Sequence, residues 1–288
     1  MAKHVIVGCA GLPAGVGWPR YFQRLPYLEV NTLHVGPVRP SVMKRWRQSV
    51  TRKHAFGVVA PAIITHEPPQ RGFGNRGWPI PPERRAEIGR FRPGPERDHG
   101  VTALVEACRT LDAGVAVFRT GPELSPSSAN RDLMRRFFAE VVPAELLGEC
   151  VRVWHPGGLW DPPIAEAFAQ ELGIVCAHDP LTADPTGDFA PFFASLSGDD
   201  AYLIASGLGR ARRHLSGDQL EEIAELADRF QRAWVVMATN EPFADAIRFG
   251  RAMSAIDRGD DSPIDDDDTD AAADPESDAA EESSDDDS

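Results

Sequence analysis

The stretch Cys150-Val151-Arg152-Val153-Trp154, followed by a helical segment over 163–172 and then by Gly173-Ile174-Val175-Cys176-Ala177, decides the fold. Two apolar runs of strand length flank a segment of helical spacing, and Gly173 stands where a helix stops. A helix between two such runs provides the crossover that parallel strands require. The same unit recurs outward in both directions. Apolar runs at 5–9, 27–33, 56–64 and 114–118 precede it and runs at 201–205 and 233–238 follow it, which makes eight before Met253. Helical patterns occupy 128–142, 163–172 and 216–231. The last places Leu220, Ile223, Ala224, Ala227 and Phe230 on one face and opens on a capping box of Ser216 with Gln219. The sixth interval is broken by prolines and glycines and holds only a turn or two around 189–194. Eight such units make this an α/β chain folded as a (β/α)8 TIM-type barrel, and 288 residues suit one domain of about 250 residues. An open doubly wound sheet for a dinucleotide would need G-x-G-x-x-G after the first strand; Gly8, Gly11, Gly15 and Gly17 do not spell it.

Charge divides the chain in two. From Asp257 onward there are 16 acidic residues against one arginine, whereas residues 1–256 carry a net charge of +1. The barrel domain therefore spans 1–256, and 257–288 reads as a disordered acidic tail, because it has too little apolar surface to bury and repels itself. Such a tail solubilises, or docks a basic protein partner. It also competes with phosphates for any basic surface, which argues against nucleic acid as a partner. Cys9, Cys108, Cys150 and Cys176 are far apart without a C-x-x-C pair, and buried thiols are the expectation. No signal peptide precedes Val5 and no apolar run approaches the roughly 20 residues of a membrane span, so a cytoplasmic, non-membrane protein is expected.

Residues 67–97 form a loop rich in proline and arginine, with Phe73, Trp78 and Phe91 interspersed, between the third strand and its helix. On that side of a barrel it either grips a phosphate-bearing ligand or covers the mouth.

Short motifs in order carry a resemblance. Leu28-Glu29-Val30-Asn31-Thr32, Pro40-Ser41 leading to Trp46, and Phe56-Gly57-Val58 with Ile64-Thr65-His66 come first. Val117-Phe118, His155-Pro156 followed by Trp160, Ala177 to Pro180, Tyr202 with Gly207, and a last strand ending near Asn240 follow. Together they resemble the YecE-like family, domain of unknown function 72, across most of the body, and the resemblance implies an α/β barrel of unassigned activity. The chain departs from that pattern at Gly8-Cys9-Ala10-Gly11-Leu12, at Leu33-His34-Val35, at Arg152-Val153-Trp154-His155-Pro156 and at Ile204-Ala205-Ser206-Gly207. A diverged member with altered or abolished activity is implied.

In a barrel the C-terminal ends of the strands converge on the site. The catalytic candidates there are Glu29, Asn31, His66, His155, Asp179 and Asn240, with Arg119 and Ser206 for substrate binding. Arg119 offers a planar fork to a carboxylate or phosphate. His66, His155 and His178 could supply three ligands to a divalent metal with an open position for water, although no tight ligand spacing supports the set. Bland readings stand beside these. Glu29 and Asn31 could bond within the barrel, His155 could fix a loop, and His178-Asp179-Pro180 could be a turn in which the aspartate bonds its own backbone two residues on. Cys9 and Ser206 lack the setting of a nucleophile. Two function classes follow: a hydrolase or isomerase acting on a small polar or phosphorylated substrate at the mouth, and a non-catalytic barrel that binds a ligand or, through its tail, a basic protein.

Overall fold

The computed structural model describes residues 4–69, 77–182, 190–206 and 215–258. The expected disordered tail, apart from the end of the last helix, and part of the arginine-rich loop lie outside the described residues. Eight strands, β1 (His4–Ala10), β2 (Tyr27–Val30), β3 (Phe56–Val59), β4 (Val115–Arg119), β5 (Val151–His155), β6 (Val175–His178), β7 (Gly198–Ala205) and β8 (Phe230–Met237), pair in parallel and in order. The barrel closes where β8 pairs with β1, from His4 opposite Arg232 to Cys9 opposite Met237.

Helices supply the crossovers. They are α1 (Trp18–Arg24), α2 (Thr32–Val35), α3 (Pro40–Gln48), α4 (Ala62–Thr65), α5 (Pro95–Leu111), α6 (Ser128–Arg136), α7 (Pro162–Glu171), α8 (Ala190–Ser195), α9 (Gly217–Ala227) and α10 (Pro242–Arg258). Ser216 caps α9 in a full capping box with Gln219, and Gly173 ends the α7 unit with a φ of +65°.

Strand alternation sorts the core into two layers. Tyr27, Val59, Val115, Val117, Val153, Ala177, Tyr202, Ile204, Trp234 and Val236 fill the barrel interior. Their strand neighbours, among them Leu28, Phe56, Phe118, Trp154, Cys176 and Leu203, face the helices. Four sequence expectations are corrected here. The second strand ends at Val30, where the chain turns into α2, and the third ends at Val59, because Pro61 carries no N–H for a ladder and turns the chain into α4, whose four residues are all buried. Phe230 opens β8 instead of closing the face of α9. The segment 128–142 is α6 followed by a wider π-type turn over Phe137–Val141.

Candidate active site at the barrel mouth

The last inward-facing positions of β2, β4 and β5 are Glu29, Arg119 and His155, and the β4–β5 register sets Arg119 directly opposite His155. Glu29 is fully buried. Its Oε2 accepts from the Tyr202 hydroxyl at 2.6 Å, and its Oε1 accepts from the Arg119 guanidinium. Tyr202 spends its only proton on Glu29, so the Tyr27 hydroxyl, 3.2 Å away, donates to Tyr202. The chain runs Tyr27 to Tyr202 to Glu29, with Arg119 closing it from the solvent side. Burial and the Glu29 charge push both tyrosines well above their usual range, so both remain donors. Gly57 makes the ladder possible: a Cβ there would stand 1.8 Å from the Tyr27 hydroxyl oxygen.

Three histidines surround this pair. The buried Nδ1 of His155 has no hydrogen-bond partner, and neither has the buried Nε of Arg119. Burial, and then the Arg119 and His178 charges, lower His155 to about 4, so its ring is neutral at pH 7. His34 donates from Nδ1 to the Ala60 carbonyl at 2.7 Å and packs edge-on against His66, with ring centroids 4.9 Å apart. It too is held at about 4, chiefly by burial. His66 is lowered by burial against the opposing pull of Glu123, with Arg119 again disfavouring its charged form. Its Nδ1 lies 2.8 Å from the Thr65 hydroxyl. Arg119 is thus a cation whose field reaches all three imidazoles.

Where described, the arginine-rich loop packs against α2 and α4 at this end of the barrel, and most of its arginines are paired with carboxylates. Arg84 bonds Glu96 through two nitrogens, Arg90 and Arg92 both meet Glu67, and Arg97 pairs with Asp98. Phe91 and Arg90 donate backbone N–H groups to Ile64 and Thr65, and Trp78 donates to the Leu33 carbonyl at 3.0 Å. Its φ of +84° and the 2.1 Å from its would-be Cβ to the His66 carbonyl leave only glycine at Gly89. The Glu123 carboxylate accepts from the Glu67 N–H at 2.8 Å and ties the loop after β4 to the start of the arginine-rich loop.

The sequence candidates divide accordingly. Glu29, Arg119, His155 and His66 come together. Asn31 stands on the exposed rim, its amide beside Gly11, and Asn240 is exposed after β8. Asp179 takes the turn reading: its carboxylate accepts from the Leu181 N–H at 3.1 Å and from the backbone and hydroxyl of Ser206. The metal set is corrected. Ala177 points into the barrel, so His178 points out of it, toward Glu166 on α7 at 2.9 Å and the rings of Phe192 and Phe193. Among the described residues, His66, His155 and His178 do not form a group of converging ligand atoms. Cys9 lies on the outer face, and burial lifts its thiol to about 12. Sequence reasoning missed His34, Tyr27, Tyr202 and Glu123 as members of the site. The inward period of β2 and β7 could have found the tyrosines; no local signal marks the other two.

No family model and no curated protein matches the sequence. Solved structures do match the fold. Two crystal structures of a DUF72 family protein from Enterococcus faecalis V583 superpose with TM-scores of 0.59 and 0.58 at 11% and 13% identity, covering 91% and 89% of this chain and 98% of that one. A xylose isomerase domain containing protein from Salmonella typhimurium LT2 superposes with a TM-score of 0.54 at 9% identity, covering 88% of this chain and 97% of that one. The chain therefore has the TIM-barrel fold of a DUF72 protein, in agreement with the motif resemblance. At these identities the similarity concerns the fold alone. No described helix is long and apolar enough to cross a membrane.

Proposed function

We propose that the chain is a hydrolase or isomerase that takes a small polar or phosphorylated substrate into the C-terminal mouth of the barrel. The observation that carries this reading is the pair of unpartnered buried nitrogens, Arg119 Nε and His155 Nδ1, on adjacent strands of the inner face. Buried polar groups of native proteins are nearly always paired, and the exceptions mark places where a ligand or water completes the set. Arg119 binds the anionic or most electronegative part of the substrate. Glu29, held by Tyr202, fixes the guanidinium from below and is a positioning residue. His155 transfers the proton. In the free protein it is a weak base, chiefly through burial and then through Arg119; an anion bound to Arg119 offsets the second cause and makes His155 a stronger base than in the free protein. His66 and Asn31 line the rim.

Turnover of ribose 5-phosphate, free ribose and other small sugars and phosphomonoesters, followed by NMR, tests the proposal. The expected result is conversion of at least one phosphorylated substrate, with a fall of about 100-fold or more in Arg119→Ala and His155→Gln variants of unchanged circular dichroism. Binding without turnover would favour the non-catalytic barrel. Binding that is indifferent to Arg119→Ala would remove the mouth as the site.

A further inference from the structure

Outside the barrel, on the opposite face of β6 from the mouth, three side chains of different chemistry converge. Glu166 comes from α7, and Cys176 and His178 come from alternate outward positions of β6. A carboxylate oxygen, the thiol sulfur and a ring nitrogen all lie within 4.8 Å of one another. Cys176 and His178 are buried, and Glu166 is half-buried. Beside them a cavity of about 510 Å³ opens between α7 and β7, lined by all three together with Gln170, Asp199 and Leu203.

We propose that Glu166, Cys176 and His178 form a zinc site that fastens α7 to β6, with water from the cavity as the fourth ligand. Thiolate, imidazole and carboxylate are the three side chains zinc takes in tetrahedral sites, with bond lengths of about 2.0–2.3 Å. Those lengths set tetrahedral ligand atoms about 3.3–3.8 Å apart, inside the 4.8 Å within which the three atoms here converge. The present His178 to Glu166 contact of 2.9 Å is a hydrogen bond. Replacing its shared proton by the ion requires the two groups to separate by only about half an ångström.

Charge decides between zinc and a bare hydrogen-bonded trio. A divalent ion with one thiolate, one carboxylate and a neutral imidazole sums to zero, which suits a site flanked by Phe192 and Phe193. On binding, the Cys176 thiol releases its proton to solvent, the proton between His178 and Glu166 passes to His178 Nδ1 so that the imidazole stays neutral, and sulfur donates its electron pair to the metal, with no change of oxidation state. Hard cations are disfavoured by the sulfur ligand. None of its three residues faces the barrel interior, so the metal would be held without any ligand from the mouth.

The test loads chelator-stripped, full-length protein with Zn²⁺ for elemental analysis and with Co²⁺ for optical spectroscopy. The expected result is near-stoichiometric zinc and, with cobalt, a thiolate charge-transfer band and tetrahedral visible bands. All should be lost in Cys176→Ser and weakened at least tenfold in Glu166→Gln, which keeps the helix and the residue's shape. His66→Ala with His155→Ala should leave them intact. No zinc above background, a cobalt spectrum without a thiolate band, or metal retained in both Cys176→Ser and Glu166→Gln would overturn the proposal.

Discussion

His155 keeps a buried nitrogen without a partner while its neighbour Arg119 spends one nitrogen on Glu29 and leaves Nε free of bonds. Two consequences can be measured. The first concerns pH. His34 and His155 sit near 4 in the folded protein against 6.5 when unfolded, so between those values the unfolded chain holds protons that the folded chain refuses. Their contribution to stability is therefore complete above about pH 6.5 and declines as pH falls toward 4. The melting temperature of the wild type should drop more between pH 7 and 4.5 than that of His34→Gln with His155→Gln; equal slopes would contradict the assignment. The second concerns Glu29. Removing the Tyr202 hydroxyl leaves one of its buried oxygens without a donor, so Tyr202→Phe should cost about 1–3 kcal/mol in denaturant unfolding. The loss should also loosen Arg119, raising KM more than it lowers kcat. Much of this site could be read from position in the repeat, as Glu29, Arg119 and His155 show. His34 could not: it lies just beyond β2 and meets His66 only because α2 and α4 both follow strands of the same mouth.

At the scale of elements, legibility followed the length of the repeat. The capping box at Ser216 was visible because its two residues are three apart in sequence, and Ser216→Ala should cost about 1 kcal/mol by the loss of the bond to the Gln219 N–H. The ends of β2 and β3 were not visible, since an apolar run looks the same whether it continues as a strand or turns into a buried helical turn such as α4. The outward aim of His178 was hidden for a related reason: a one-residue difference in where β6 is entered reverses every side chain on it. Gly57 tests the interior packing. In Gly57→Ala the new methyl competes with the Tyr27 hydroxyl for one space, so the variant should lose about 1–3 kcal/mol and break the tyrosine ladder. Unchanged stability would show that Tyr27 does not cross to Gly57.

The whole molecule joins a nearly neutral barrel to a strongly acidic end. Residues 259–288 hold fifteen carboxylates and no lysine or arginine, so deleting them takes the net charge from −14 to +1. Every strand of the closed barrel precedes Arg258, and the deletion should leave the melting temperature nearly unchanged while solubility near neutral pH falls. A large loss of stability would mean that the acidic segment packs on the barrel. The fold supports many chemistries, so the proposed function rests on the mouth and not on the topology. The most direct measurement is a two-dimensional spectrum of the histidine ring nitrogens at pH 7, recorded with and without ribose 5-phosphate. The expected spectrum shows a neutral His155 ring in the free protein, whose nitrogen resonances shift as the sugar phosphate binds Arg119, and no such shift in Arg119→Ala. A His155 ring already protonated without ligand, or one that ignores the sugar phosphate, would contradict the proposed function.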